Sequence, residues 1–248
     1  MDFDFHKPRH LLAFILLSIS FLLVIVSAII SYFMPFPTSS SIGTYTGITQ
    51  LILEIYLLAF SLLFVVLLMI IIPMMWYILV NHLRLREILH RLLLHRQGLN
   101  QALLWGIIAA IAALIVSVAI DLLIMQFGVN TTKLSNIPQL LQLFPLPALF
   151  VLITVQPIAE EIFFRGFLLE KLSWYAGPLV AILISSVLFG LAHLSYGVLY
   201  TAVMATGLGI VFGIVVVRTR SLYSSIIAHI LVNVTSMTLY LLGKSLGT

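Results

Sequence analysis

The run LLAFILLSISFLLVIVSAIISYFM, residues 11–34, decides the fold class of this chain. An α-helix needs about 20 predominantly apolar residues to cross a bilayer, and this run is 24 residues long with only four serines and no charge. It is longer than the apolar core of a secretory signal, and no small-residue cleavage site stands out near Ser27-Ala28-Ile29, so a retained first span is expected. Six further stretches meet the same requirement: 50–80, 102–127, 145–172, 178–197, 199–217 and 222–243. They predict an all-α polytopic membrane helix bundle of about seven transmembrane helices. Composition agrees, with 62% hydrophobic and 8% charged residues and a mean hydropathy of +1.22. A soluble domain carries roughly 25% charged residues. No polar stretch is long enough for a second, soluble domain, so residues 1–248 read as one membrane domain.

Turn chemistry separates the runs. Pro35, Pro37 and Ser39–Ser41 mark a first external turn, Asn130–Pro138 a polar connector, and Gly177-Pro178 a tight turn between spans four and five. Pro73 is expected to kink or end the second span. Orientation follows from the cations. With a cytoplasmic N-terminus, Lys7, Arg9, Arg84, Arg86, Arg91, Arg96, Lys171, Arg218 and Arg220 lie inside, and Arg165 sits in span four towards that side. Only Lys133 and Lys244 fall outside. Seven crossings then leave the C-terminus outside. The net charge of +4 is this topological bias rather than a nucleic-acid surface. Residues 82–101 mix leucines with four arginines and read either as a basic helix on the inner leaflet or as a solvated extension of a span. The absence of cysteine excludes disulfides, thiol catalysis and thiolate metal sites.

An ionised side chain in the bilayer costs roughly 2.5–3.5 kcal/mol even on the mildest scale, so each one needs a reason. Span four holds Gln156, Glu160, Glu161 and Arg165, span five His193, and span seven His229 and Asn233. Glu160 is 14 residues before Trp174 and His193 is 15 after Pro178. At ~1.5 Å per residue, both sit roughly 21–23 Å from the hairpin turn. His229, 9 residues beyond Arg220, reaches a comparable layer at roughly 13 Å, against roughly 16 Å for Glu160 measured from Lys171. Glu161 and Arg165 share a helix stripe in the favourable acid-before-base order. His229 and Asn233 share another. Ser186, Gly190, Gly209 and Gly213 permit close helix approach.

One carboxylate and two imidazoles around a partly dry pocket suit hydrolysis. Glu160 can take a proton from water and return it to a leaving amine. His193 can hold the same water, and His229 and Asn233 carry N–H donors for an oxyanion. The Glu161–Arg165 pair would support the segment. Glu160, His193 and His229 could alternatively ligate zinc, although no H-E-x-x-H motif is present. No G-x-G-D segment occurs either. The bland alternatives are an ion-pair network locking two helices, two satisfied core histidines, and an interhelical hydrogen bond from Asn233. Thr154 and Gln156 could back-bond or face another helix, and Glu54 and Asp121, near span ends, receive no role.

The ordered pattern Glu160-Glu161-x-x-x-Arg165, Phe189-x-x-x-His193 and His229-x-x-x-Asn233 resembles the CAAX protease and bacteriocin-processing (CPBP, or Abi) family, which includes the type II CAAX prenyl endopeptidases. The likeness covers about residues 145–240. It implies a catalytic core over 145–243, with residues 1–144 as N-terminal spans without motif. It further implies Glu160 as water activator, His193 as its partner, and His229 with Asn233 as oxyanion stabilisers, in a glutamate mechanism that needs no metal. The implied function is an intramembrane endopeptidase acting on membrane-anchored or lipidated proteins near the cytoplasmic leaflet. In a prokaryote its membrane would be the plasma membrane. Two rival classes stand beside it: a non-proteolytic immunity or scaffold protein that binds a peptide or sensor, and a proton-coupled transporter. The lack of an evident inverted repeat speaks against the latter.

Overall fold

The computed structural model describes residues 4–33, 47–95, 98–129, 137–196 and 198–246. The external turn at Pro35–Ser41, Arg96, Lys133 and most of the Asn130–Pro138 connector lie outside the described residues. Among the described residues every regular element is helical: α1 (Pro8–Phe33), α2 (Ile48–Val66), a π-helical turn (Leu67–Ile71), α3 (Ile72–Leu79), α4 (Leu85–Arg91), α5 (Leu99–Met125), α6 (Ile137–Leu143), α7 (Leu146–Glu161), a second π-helical segment (Ile162–Leu168), α8 (Leu169–Ala192), a 3-10 turn (His193–Tyr196), α9 (Leu199–Thr219) and α10 (Leu222–Leu246). The connector ends earlier than Pro138: α6 begins at Ile137, so Pro138 stands in the first turn of a helix, where a missing N–H costs nothing.

Among the described residues, six helical stretches are long and apolar enough to cross a membrane. One of them, Leu146–Ser195, is 50 residues long and doubles back on itself. Its reversal point is Gly177, at φ 78° and ψ 166°, a backbone region essentially confined to glycine. Pro178 then opens the returning arm with its pre-set φ. Phe164 on one arm meets Phe189 on the other at 5.1 Å between ring centroids, which fixes the arms as antiparallel neighbours. The six stretches thus make seven passes, and the protein is an integral, multi-pass membrane protein.

Pro73 does not end the second span. The π-turn just before it widens the helix, and the Ile72 N–H reaches back to the Leu67 carbonyl. In that register the Leu68 carbonyl would pair with residue 73, whose proline nitrogen has no hydrogen. Ser20 of α1, fully buried, donates its hydroxyl to this orphan at 2.7 Å. A prolyl break inside lipid is thereby satisfied by a neighbouring helix.

Helix packing relies on small residues, since lipid provides no hydrophobic drive between spans. Ala102, Gly106, Ala109, Ala110 and Ala113 form one buried stripe of α5, and α5 packs against α9 and α10. A Cβ on Gly106 would stand 2.8 Å from Ile227 Cγ2. After span two, α4 is separated from α3 by a break at His82 (φ 56°), so it is not an extension of that span. Ile88 and Leu92 of this segment are buried in the bundle, while Leu85 and Leu89 face outward.

Candidate active site

Glu160 and Glu161 end α7 where the helix passes into its π-helical segment, one turn after Pro157. π-segments often occur at functional sites because they re-aim side chains. Both carboxylates are buried, Glu161 fully and Glu160 at 5% exposure. Their partners differ. Glu160 Oε1 accepts from Gln156 Nε2 at 2.8 Å, and Glu160 Oε2 lies 3.8 Å from His229 Nε2. Glu161 Oε1 meets Arg165 Nη1 at 3.0 Å and His229 Nδ1 at 3.0 Å.

A carboxylate or carbonyl oxygen only accepts, so these contacts set the histidine tautomers. His229 directs its Nδ1–H at Glu161, which turns Nε2 towards Glu160. His193 directs its Nδ1–H at the Phe189 carbonyl, one turn back, at 2.9 Å. In the neutral imidazole its lone pair is therefore on Nε2. His193 begins the 3-10 turn, and its own carbonyl accepts from Thr201 Oγ1 at 3.1 Å, which ties this turn to α9.

Arg165 is fully buried at 1% exposure. Beyond Glu161 it is held by aromatic faces: its guanidinium carbon is 4.1 Å from the Phe189 centroid, 5.7 Å from Phe212 and 5.8 Å from Phe164. A desolvated cation over such rings gains roughly 2 kcal/mol. Gly209 leaves room for it, since a Cβ there would lie 3.0 Å from Arg165 Nη2 and 3.0 Å from Ser186 Cβ. Gly213 packs on Ile182 in the same manner. His229 sits between Phe189 and Phe212, at centroid distances of 5.7 and 5.1 Å.

Asn233 donates Nδ2 to the Ile153 carbonyl of α7 at 3.5 Å. That carbonyl would pair with the N–H of residue 157, which is proline. Asn233 therefore repeats on α10 the service that Ser20 performs on α1. Thr154 back-bonds to the Phe150 carbonyl at 2.8 Å, whereas Gln156 faces Glu160. Asp121 accepts from Tyr200 at 2.6 Å and Glu54 from Gln50 at 2.8 Å, so both carboxylates have partners at the span ends.

A cavity of about 180 Å³ opens onto this cluster. Gln156, Glu160 and Phe164 line one side, and Ala192, His193 and Ser195 another. The remaining wall comes from Val24 and Ser27 of α1, Phe64 and Val65 of α2, and Leu68 and Met69 of the π-turn. The N-terminal part, which carries no motif, thus supplies half of the lining. His229 adjoins this cavity through Glu160 and is not among its lining residues. Among the described residues no group of three or more His, Cys, Asp or Glu side chains is arranged to hold one metal ion.

Residues 142–235 match the family model described as "Type II CAAX prenyl endopeptidase Rce1-like". This interval contains Gln156, Glu160, Glu161, Arg165, His193, His229 and Asn233. The chain is similar to the curated "Putative membrane peptidase YdiL" of Bacillus subtilis (strain 168), with 31% identity over 147 residues. That similarity covers 56% of this chain and about half, 56%, of the relative. No solved structure matches significantly. Over its segment 142–235 the chain is similar to the type II CAAX prenyl endopeptidase Rce1-like family, in line with the resemblance that its motifs carry.

Proposed function

We propose that the protein is an intramembrane endopeptidase that hydrolyses peptide bonds of membrane-anchored or lipidated proteins near the cytoplasmic leaflet, in the plasma membrane if its source is prokaryotic. The observation that carries this reading is that Glu160 and His193, 33 positions apart in the chain, line one cavity, with His229 beside Glu160. A structural ion pair would need only Glu161 and Arg165, and it leaves Glu160 unexplained.

In this reading a water in the cavity donates one hydrogen to Glu160 and the other to His193 Nε2. Its oxygen lone pair then points at the scissile carbonyl. Glu160 takes the proton as the C–O bond forms. The tetrahedral oxyanion is stabilised by donors from α10. His229 has committed Nδ1–H to Glu161, so it can donate from Nε2 only as the imidazolium, with the Glu161 carboxylate as counter-charge. Asn233 contributes its amide if it leaves Ile153 when substrate binds. Glu160 then protonates the departing amine nitrogen, the C–N bond breaks, and the products are an amine and a carboxylate.

The test is cleavage of a membrane-anchored reporter peptide by the purified chain in proteoliposomes, read by mass spectrometry of both fragments. Wild-type protein should give two products that sum to substrate plus one water. Glu160→Gln should give none while keeping the fold. Equal cleavage by the variant would exclude Glu160 as the water activator, and no cleavage by either would favour a binding protein.

A further inference from the structure

At the inner end of the bundle, away from Glu160, lies a second and larger hollow of about 540 Å³, lined by Leu83, Arg86, Glu87, His90 and Arg91. It sits on the connector between spans two and three, and the proposed hydrolysis makes no use of it. We propose that this hollow binds the phosphate of an anionic phospholipid headgroup from the inner leaflet.

The charge inventory favours an anion. Arg84, Arg86, Arg91 and Lys171 stand against two carboxylates, Glu87 and Glu170, and both carboxylates are occupied. Glu87 Oε2 accepts from the Arg84 backbone N–H at 2.6 Å, capping its own helix. Glu170 accepts from Arg91 Nε at 2.8 Å and from Tyr77, and pairs with Lys171 at 3.0 Å. Arg91 uses Nε for Glu170, so its terminal nitrogens carry the remaining donors. Arg86 and His90 are exposed on the rim of the hollow. A guanidinium fork matches a phosphate bidentately, and cytoplasmic leaflets supply anionic lipids to such basic segments.

The source of the phosphate is argued from the apolar residues. Ile88 and Leu92 root the connector in the bundle, while Leu85 at 61% and Leu89 at 38% exposure project beside the arginines. Exposed leucines alternating with cations suit a lipid, whose acyl chains lie next to its headgroup. A free phosphate would use only the cations. The tie from Arg91 through Glu170 reaches the arm that carries Glu161 and Arg165, so an occupied hollow would brace the inner end of that arm.

The experiment is native mass spectrometry of the full chain released from nanodiscs of phosphatidylcholine with a minority of phosphatidylglycerol. It requires no peptidase activity, so its failure is separable from failure of the function proposed above. The expected result is retention of one phosphatidylglycerol in preference to phosphatidylcholine, falling at least tenfold in an Arg86→Gln, His90→Gln double variant. Arg84→Gln removes the same charge from a residue outside the lining and should retain the lipid. Equal loss in both variants would mean diffuse attraction without a site, and equal retention of the two lipids would mean no headgroup recognition. Displacement of the lipid by an equimolar amount of inorganic phosphate would assign the hollow to a soluble anion. Each of these three results would overturn the proposal.

Discussion

His229 Nδ1 lies 3.0 Å from Glu161 Oε1, and the same imidazole points its Nε2 at Glu160 Oε2, 3.8 Å away. Two adjacent carboxylates therefore meet one histidine through different nitrogens, and they do so from different structural positions. Glu161 is locked between Arg165 and His229, whereas Glu160 opens onto the cavity with a single amide partner.

This asymmetry predicts opposite phenotypes for the two glutamates. Glu160→Gln should abolish cleavage of a membrane-anchored reporter and leave unfolding in detergent nearly unchanged. Glu161→Gln removes the charge partner of a fully buried Arg165, and breaking a buried pair costs about 3–5 kcal/mol. Denaturant unfolding of both variants, measured alongside cleavage, checks the assignment. A stable Glu161→Gln protein would contradict it.

Gln156 fixes Glu160 through a 2.8 Å bond to Oε1. Gln156→Leu keeps the volume and removes the donor, which frees the carboxylate to rotate. A misplacement of about 1 Å in a catalytic group can cost roughly a hundredfold in rate. The expected outcome is a fall in kcat of roughly ten- to a hundredfold with KM little changed, measured by steady-state cleavage kinetics.

Asn233 offers a cleaner separation of structure from chemistry. Its amide meets the Ile153 carbonyl because Pro157 has no N–H to give. Asn233→Leu should cost about 0.6–1.7 kcal/mol, the range measured for hydrogen bonds between membrane helices. In a Pro157→Ala background residue 157 regains its N–H, so the penalty should shrink towards zero. A double-mutant cycle on unfolding measures this coupling. If Asn233 also stabilises the oxyanion, the loss of kcat will persist in the Pro157→Ala background.

Gly209→Ala places a methyl 3.0 Å from Arg165 Nη2 and from Ser186 Cβ. Neither neighbour has room to retreat, because Arg165 is caged by three aromatic rings. Overpacking of this kind costs about 1–3 kcal/mol. Thermal unfolding should register that loss together with a lower rate, since the displaced guanidinium pulls on Glu161.

Much of this arrangement was legible in the sequence, for a simple physical reason. A charge or imidazole within an apolar span is conspicuous, and a glycine–proline turn fixes how far each residue lies from the bend. Counting from Gly177 therefore placed Glu160 opposite His193. The cavity wall from α1 and α2 was not legible. Val24, Phe64 and Met69 look identical in sequence to the lipid-facing residues beside them, since a membrane helix is apolar all round and shows no solvent stripe. The π-turns were equally silent, and so were the proline breaks, because Pro73 is accommodated by Ser20 and Pro157 by Asn233, each on another helix. Gln156 carried a partial signal, four residues before Glu160 on one face, but its pairing depended on rotamers that spacing does not set.

The central claim is that Glu160 activates water directly, without a bound metal. The decisive measurement is turnover of a membrane-anchored reporter by protein purified with a strong chelator, with metal content determined by elemental mass spectrometry on the same sample. The account predicts undiminished cleavage by metal-free wild-type protein and none by Glu160→Gln. Cleavage that disappears on chelation and returns with stoichiometric zinc would contradict it.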